Sequence, residues 1–113
     1  GLAFGDIDND GDMDMVVGND SGPLRLFINN VGSRKHWVGF IVPVGSRVVV
    51  TTGDGRTLTR RSHTDGSYAS ARDPRVLVGL GDASGPVRVK VIRPDGSMVE
   101  QSNVAIDRYT SLR

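Results

Sequence analysis

Cysteine is absent from this 113-residue chain, so neither disulfide staples nor thiolate zinc sites can hold it together, and its redox compartment stays open. Aromatic residues are scarce as well, one Trp, two Tyr and three Phe, which leaves little to stack nucleic-acid bases on. No stretch is long or apolar enough to span a membrane, so membrane insertion is not expected. The chain begins at Gly1 within what reads as a strand, without Met or signal sequence, as expected of a piece excised from something longer. With 37% hydrophobic and 24% charged residues, the composition fits one small domain, or one domain joined to a piece of another, with a modest core.

The net charge of +1 conceals a division. Residues 1–31 carry six acids and one base, Arg25, for a net −5, whereas residues 32–113 carry thirteen bases and seven acids, for a net +6. In the basic part the arginines alternate along predicted strands, and the aromatics are only Trp37, Phe40, Tyr68 and Tyr109. A solvated sheet face is therefore expected there rather than a nucleic-acid interface.

The acidic part contains Asp6-Ile-Asp8-Asn-Asp10-Gly11-Asp12-Met-Asp14. Alternate residues of a tightly curled segment point to one centre, so Asp6, Asp8 and Asp10 can each offer an oxygen to a hard cation while Gly11 permits the sharp turn. Asp12 would contribute its backbone carbonyl, and Asp14 would close the shell directly or through water. Five acids in nine residues repel one another unless a cation compensates them: two like charges at about 4 Å cost a few kcal/mol at an effective dielectric near 20. An all-oxygen donor set selects Ca2+ over zinc. The loop is not an EF-hand, because the twelfth position, which would need a bidentate Glu, is Val17.

Apolar spacing of two predicts strands at Leu2 to Phe4, Met13 to Val17 and Leu24 to Ile28, a small meander with the acidic loop between its first two members. Turn residues at Asn29, Asn30, Gly32 and Ser33, followed by Arg34-Lys35, place a boundary near residue 33. Beyond it, strands are expected at Trp37 to Val44, Arg47 to Thr52, Thr57 to His63, Val76 to Leu80, Val87 to Ile92, Met98 to Val104 and Tyr109 to Leu112, with hairpin signals at Gly53-Asp54-Gly55 and Pro94-Asp95-Gly96-Ser97. Short strands at this spacing, with no convincing helix, predict an all-β fold: an antiparallel β-sandwich or barrel-like domain preceded by a calcium-loop meander.

Residues 1 to 30, from Gly-Leu-Ala-Phe-Gly through the acidic loop to Leu-Phe-Ile-Asn-Asn, resemble one FG-GAP or VCBS repeat, the blade unit of integrin-alpha-type propellers. That resemblance implies side-chain ligation of calcium by Asp6, Asp8, Asp10 and Asp14, with the carbonyl of Asp12. Residues 36 to 113 resemble the ASPIC and UnbV domain of the cartilage acidic protein family and of bacterial secreted proteins. The matching residues are Trp37-Val38-Gly39, Arg47-Val48-Val49-Val50, Gly66-Ser67-Tyr68-Ala69-Ser70, Asp73-Pro74-Arg75, Gly79-Leu80-Gly81 and Pro94-Asp95-Gly96. The chain departs from that family at Val44-Gly45-Ser46, where a longer polar connection is usual. The expected domains are a calcium-loop repeat at 1–32 and an ASPIC/UnbV-like β domain at 33–113.

Catalysis is not expected. His63, Asp65 and Ser67 sit in one turn-rich stretch without a nucleophile elbow or oxyanion hole. Asp6 and Asp8, committed to calcium, would be poor proton donors for a glycosidase. The expectation is a secreted or cell-surface module in which Ca2+ rigidifies the β-structure for adhesion or interaction with a protein or glycan. The alternative is a carbohydrate-binding module using Tyr68 and Trp37 as a stacking platform, although a Tyr plugging the end of a sandwich reads the same way. Anion binding by Arg60, Arg61, Arg72 and Arg75 depends on whether the strands bring them together. Self-association through the strand edge at residues 1 to 4 is a further expectation.

Overall fold

A computed structural model describes residues 1–31, 34–66 and 69–113. The boundary expected near residue 33 and the Tyr68 and Ser67 positions lie outside the described residues. Ten strands form among the described residues: β1 (Leu2–Gly5), β2 (Asp14–Val17), β3 (Arg25–Phe27), β4 (His36–Ile41), β5 (Arg47–Thr51), β6 (Thr57–Arg61), β7 (Val76–Gly81), β8 (Val87–Ile92), β9 (Met98–Val104) and β10 (Tyr109–Ser111). They make three sheets, ordered β1-β2-β3, β10-β4-β7 and β6-β5-β8-β9, so the fold is all-β and no barrel closes.

The two later sheets face each other across a core written in alternation. Val38 and Phe40 of β4 and Val76, Val78 and Leu80 of β7 meet Val48 and Val50 of β5 and Val87, Val89 and Val91 of β8, all nearly inaccessible to water. Most of these side chains are valine, whose β-branching suits a pleated, half-buried surface and whose single preferred rotamer costs little to order. The intervening residues of β8, Arg88 and Lys90, turn outward.

Two departures from a simple antiparallel reading matter for function. Strand β4 stops at Ile41 instead of running to Val44, because Pro43 cannot donate to a ladder and Gly45, at φ +94°, turns the chain toward Ser62. Strand β10 pairs with β4 in parallel, Tyr109 opposite Gly39. Asp107 sets that pairing: its amide donates to the Trp37 carbonyl, and its carboxylate accepts from the Trp37 amide at 3.1 Å.

As a result β4 is covered on both sides. Its Val38 and Phe40 face the sandwich core, while Trp37 and Gly39 face outward, where Tyr109 lies over Gly39. A Cβ at Gly39 would run into the Tyr109 ring, so the glycine provides the seat on which that ring rests.

The meander is thinner. Antiparallel pairing runs Leu2 opposite Val17 and Met15 opposite Phe27, but Leu24, Leu26, Phe27 and Ile28 remain about half exposed or more. The outer edge of β1 is partly occupied, since the Phe4 carbonyl accepts from the Asp73 amide at 3.0 Å.

Candidate metal centre

The acidic loop leaves the end of β1 at Asp6 and re-enters β2 at Asp14, and both side chains are buried, at 1% exposure. Their oxygens hold the loop closed. Asp6 Oδ1 accepts from the Asp10 amide at 3.1 Å and Oδ2 from the Gly11 amide at 3.0 Å. Asp14 accepts from the Ile7 amide and from the Asn29 amide, each at 2.8 Å, which also ties down the segment after β3. Asp10 Oδ1 accepts from the Asp12 amide at 3.2 Å. This is the curled geometry that alternating acids and one glycine imply: Gly11 sits at φ +91°, a conformation costly for any side chain.

The carboxylates converge in two overlapping groups. One oxygen each of Asp6, Asp8 and Asp14, and one each of Asp8, Asp10 and Asp12, lie within 4.8 Å of each other. Each group is close enough to share one metal ion, and its all-oxygen donors suit a hard cation. The Asp12 side chain, given only a carbonyl role by spacing, is buried and joins the second group.

Two of these carboxyls shift in opposite directions. Partial desolvation, then the neighbouring Asp10 and the charge of Asp14, pushes the Asp8 carboxyl above its ordinary range. At Asp10 desolvation pushes the same way, but hydrogen bonds from Asp12 and Asp8 outweigh it and the pKa falls. Asp8, the member common to both groups, is exposed to solvent.

What spacing alone did not reveal is how the loop sits on the sandwich. The Tyr109 hydroxyl donates to Asp6 Oδ2 at 2.7 Å, joining the last strand to the first loop. Burial, then that bond to Asp6, raises the phenol pKa well above its usual value, so the proton stays on Tyr109. The Arg75 guanidinium lies 4.4 Å over the Tyr109 ring, and its two Nη atoms donate to the Asp6 carbonyl at 2.6 Å and to Asn9 Oδ1 at 2.5 Å. Asp73 holds that guanidinium through Nε and Nη2 at 2.7–3.1 Å. Desolvation of Asp73 is outweighed by these hydrogen bonds, which hold its carboxyl below the ordinary range.

Trp37 completes the seat and corrects an expectation. It is 7% exposed, its ring 5.1 Å from that of Tyr109 in an edge contact, and a Cβ at Gly11 would overlap its indole. The Trp37 ring therefore packs beneath the acidic loop and offers no open face to a sugar. The structure gives Asp73, Arg75 and Asn9 roles at the loop that the sequence did not assign: Asp73 and Arg75 stood in the Asp73-Pro74-Arg75 match, Arg75 also among the candidate anion-binding arginines, and Asn9 had no signal. His63 Nδ1 meets Asp65 Oδ1 at 2.8 Å, an exposed local pair.

No curated protein and no solved structure matches the chain. A family model described as ASPIC and UnbV matches residues 42–113, beginning just past β4 and running through Asp73, Arg75 and Tyr109 to the end of the chain. That match spans more than half of the sequence, and the chain belongs to the ASPIC and UnbV family.

Proposed function

We propose that this chain is a calcium-binding, non-catalytic module of an extracellular protein, in which the Asp6–Asp14 loop fastens an FG-GAP or VCBS-type meander, residues 1–32, to the ASPIC/UnbV sandwich. The observation that carries the reading is the meeting of five carboxylates in two groups that share Asp8, in a loop where the buried Asp6 is also the acceptor of the Tyr109 hydroxyl. Asp6, Asp8, Asp10, Asp12 and Asp14 would hold the ion, and a bound Ca2+ would supply the positive charge that this group of acids lacks.

The chain's own residues do the rest. Asp6 and Asp14 orient their oxygens through backbone amides, so little ordering is left to a binding event. Arg75 and Tyr109 hold the loop at Asp6 and Asn9. The role is mechanical: a rigid joint between meander and sandwich, in a protein that contacts other proteins or glycans outside the cell. An extracellular setting is where such a site would matter. A Kd of about 0.1 mM against outside calcium of about 1 mM would add about 1.4 kcal/mol, a useful share of a small domain's stability.

The test is thermal melting in 1 mM CaCl2 and in chelator, for the parent and for Asp8→Asn. The parent is expected to melt several degrees higher in calcium. Asp8→Asn should lose that increment yet melt in chelator at or slightly above the parent, because repulsion is relieved. Equal calcium increments for both proteins would refute the role given to Asp8.

A further inference from the structure

The four arginines whose convergence the sequence left open do meet. Arg60 and Arg61 at the end of β6, Arg72 and Arg75 before β7, His63 and Asp73 line one cavity of about 200 Å³ at the open edge of the sandwich. Its remaining wall comes from β7 and from Met13 of the acidic loop. Register explains the place of Arg60. Arg60 pairs with Val48 and Leu58 with Val50, so Arg60 shares the core-facing side of β6 with Leu58 and stands where that side runs out of apolar cover.

Two of these four charges have no carboxylate partner. Asp73, in the cavity, is spent on Arg75, the exposed Asp65 feels the charge of Arg61, and among the described residues Arg60 and Arg72 form no ion pair. Their heads are nonetheless placed. Arg60 Nη1 donates to the Thr59 carbonyl at 2.9 Å, and the Arg72 guanidinium lies 5.4 Å over the Phe4 ring. A Cβ at Gly66 would run into that same guanidinium, so the glycine leaves it room. Fixed guanidinium forks match the edges of a tetrahedral oxyanion, to which they bond in bidentate fashion. The volume is below that of drug-sized ligand pockets, roughly 300–1,000 Å³, and suits a charged group rather than a whole ligand. A polynucleotide backbone would need a longer basic track and stacking aromatics.

We propose that this cavity binds an anionic ester group, sulfate or phosphate, carried on a larger molecule and held by Arg60 and Arg72, with Arg61 on its wall. The site lies beside the metal loop and shares Asp73 and Arg75 with its docking, but not Arg60, Arg61 or Arg72.

The test is calorimetric titration of sodium sulfate and inorganic phosphate into the full chain freed of divalent cations, against sodium chloride at equal ionic strength, followed by glucose 6-sulfate and glucose 6-phosphate. Saturable binding of at least one ester is expected, and the tighter ester identifies the source. Arg60→Gln and Arg72→Gln should each weaken it at least fivefold, and Arg93→Gln, in the β8–β9 turn, should not. Arg72 also packs on Phe4, so Arg60→Gln, which gives up a hydrogen bond to a backbone carbonyl, decides. The proposal is overturned if the anions behave like chloride, if the inorganic ions bind but neither ester does, or if Arg60→Gln melts and binds like the parent.

Discussion

Replacing Tyr109 by Phe removes one hydroxyl and leaves the ring that rests on Gly39, touches Trp37 and carries Arg75. The lost bond is the 2.7 Å donation to Asp6 Oδ2. Hydrogen bonds to charged groups contribute about 1.5–3 kcal/mol net. Asp6 Oδ2 keeps the Gly11 amide, so no buried acceptor is stranded and the low end applies, about 1.5 kcal/mol. For a chain of 113 residues that corresponds to a fall in Tm of about 6 °C. Melting should be followed in chelator, so that the hydrogen bond is read by itself. A double-mutant cycle with Asp6→Asn isolates the pair, and a coupling of about 1 kcal/mol is expected. A Tm within 1 °C of the parent, or additive single-mutant effects, would refute the claim that the last strand holds the acidic loop.

Gly11→Ala should cost about 3 kcal/mol in urea unfolding, because the new Cβ meets both a left-handed φ and the Trp37 indole; Gly55→Ala, left-handed but in open space, should cost clearly less. Phe40→Ala should cost about 3–5 kcal/mol through the cavity left between the two sheets of the sandwich, measured the same way. Asp95 in the β8–β9 hairpin titrates below the ordinary aspartate value, first because the Ser97 hydroxyl donates to it and then because of the Ser97 amide. A depressed folded pKa means that its contribution is complete above about pH 4 and is lost as pH falls through the lower folded value. Carboxyl NMR should show that low titration, and Ser97→Ala should move it up toward the ordinary value.

Strand placement was legible in the sequence because the core is built on a strict period of two: Val48 and Val50, Val76 and Val78, and Val87, Val89 and Val91 fix which face looks inward. The acidic loop was legible for a similar reason, since alternation of Asp residues plus one left-handed glycine is a local pattern. The parallel pairing of β10 with β4 was not. It joins residues 70 apart through the Asp107 carboxylate, and its local trace is only a glycine, Gly39, in an otherwise bulky strand. Trp37 was open to misreading because an amphipathic ring has the same sequence signature on a surface as beneath a loop. The arginine cavity depended on two sheet edges meeting, which no local spacing encodes.

The most direct test of the calcium joint is calorimetric titration of Ca2+ into the chelator-stripped chain, with Mg2+ as the control. One ion per chain, with magnesium far weaker, is the predicted result, because the donors are all carboxylates, two groups of them sharing Asp8, and magnesium gives up its waters reluctantly. No heat with calcium, or equal binding of magnesium, would contradict it.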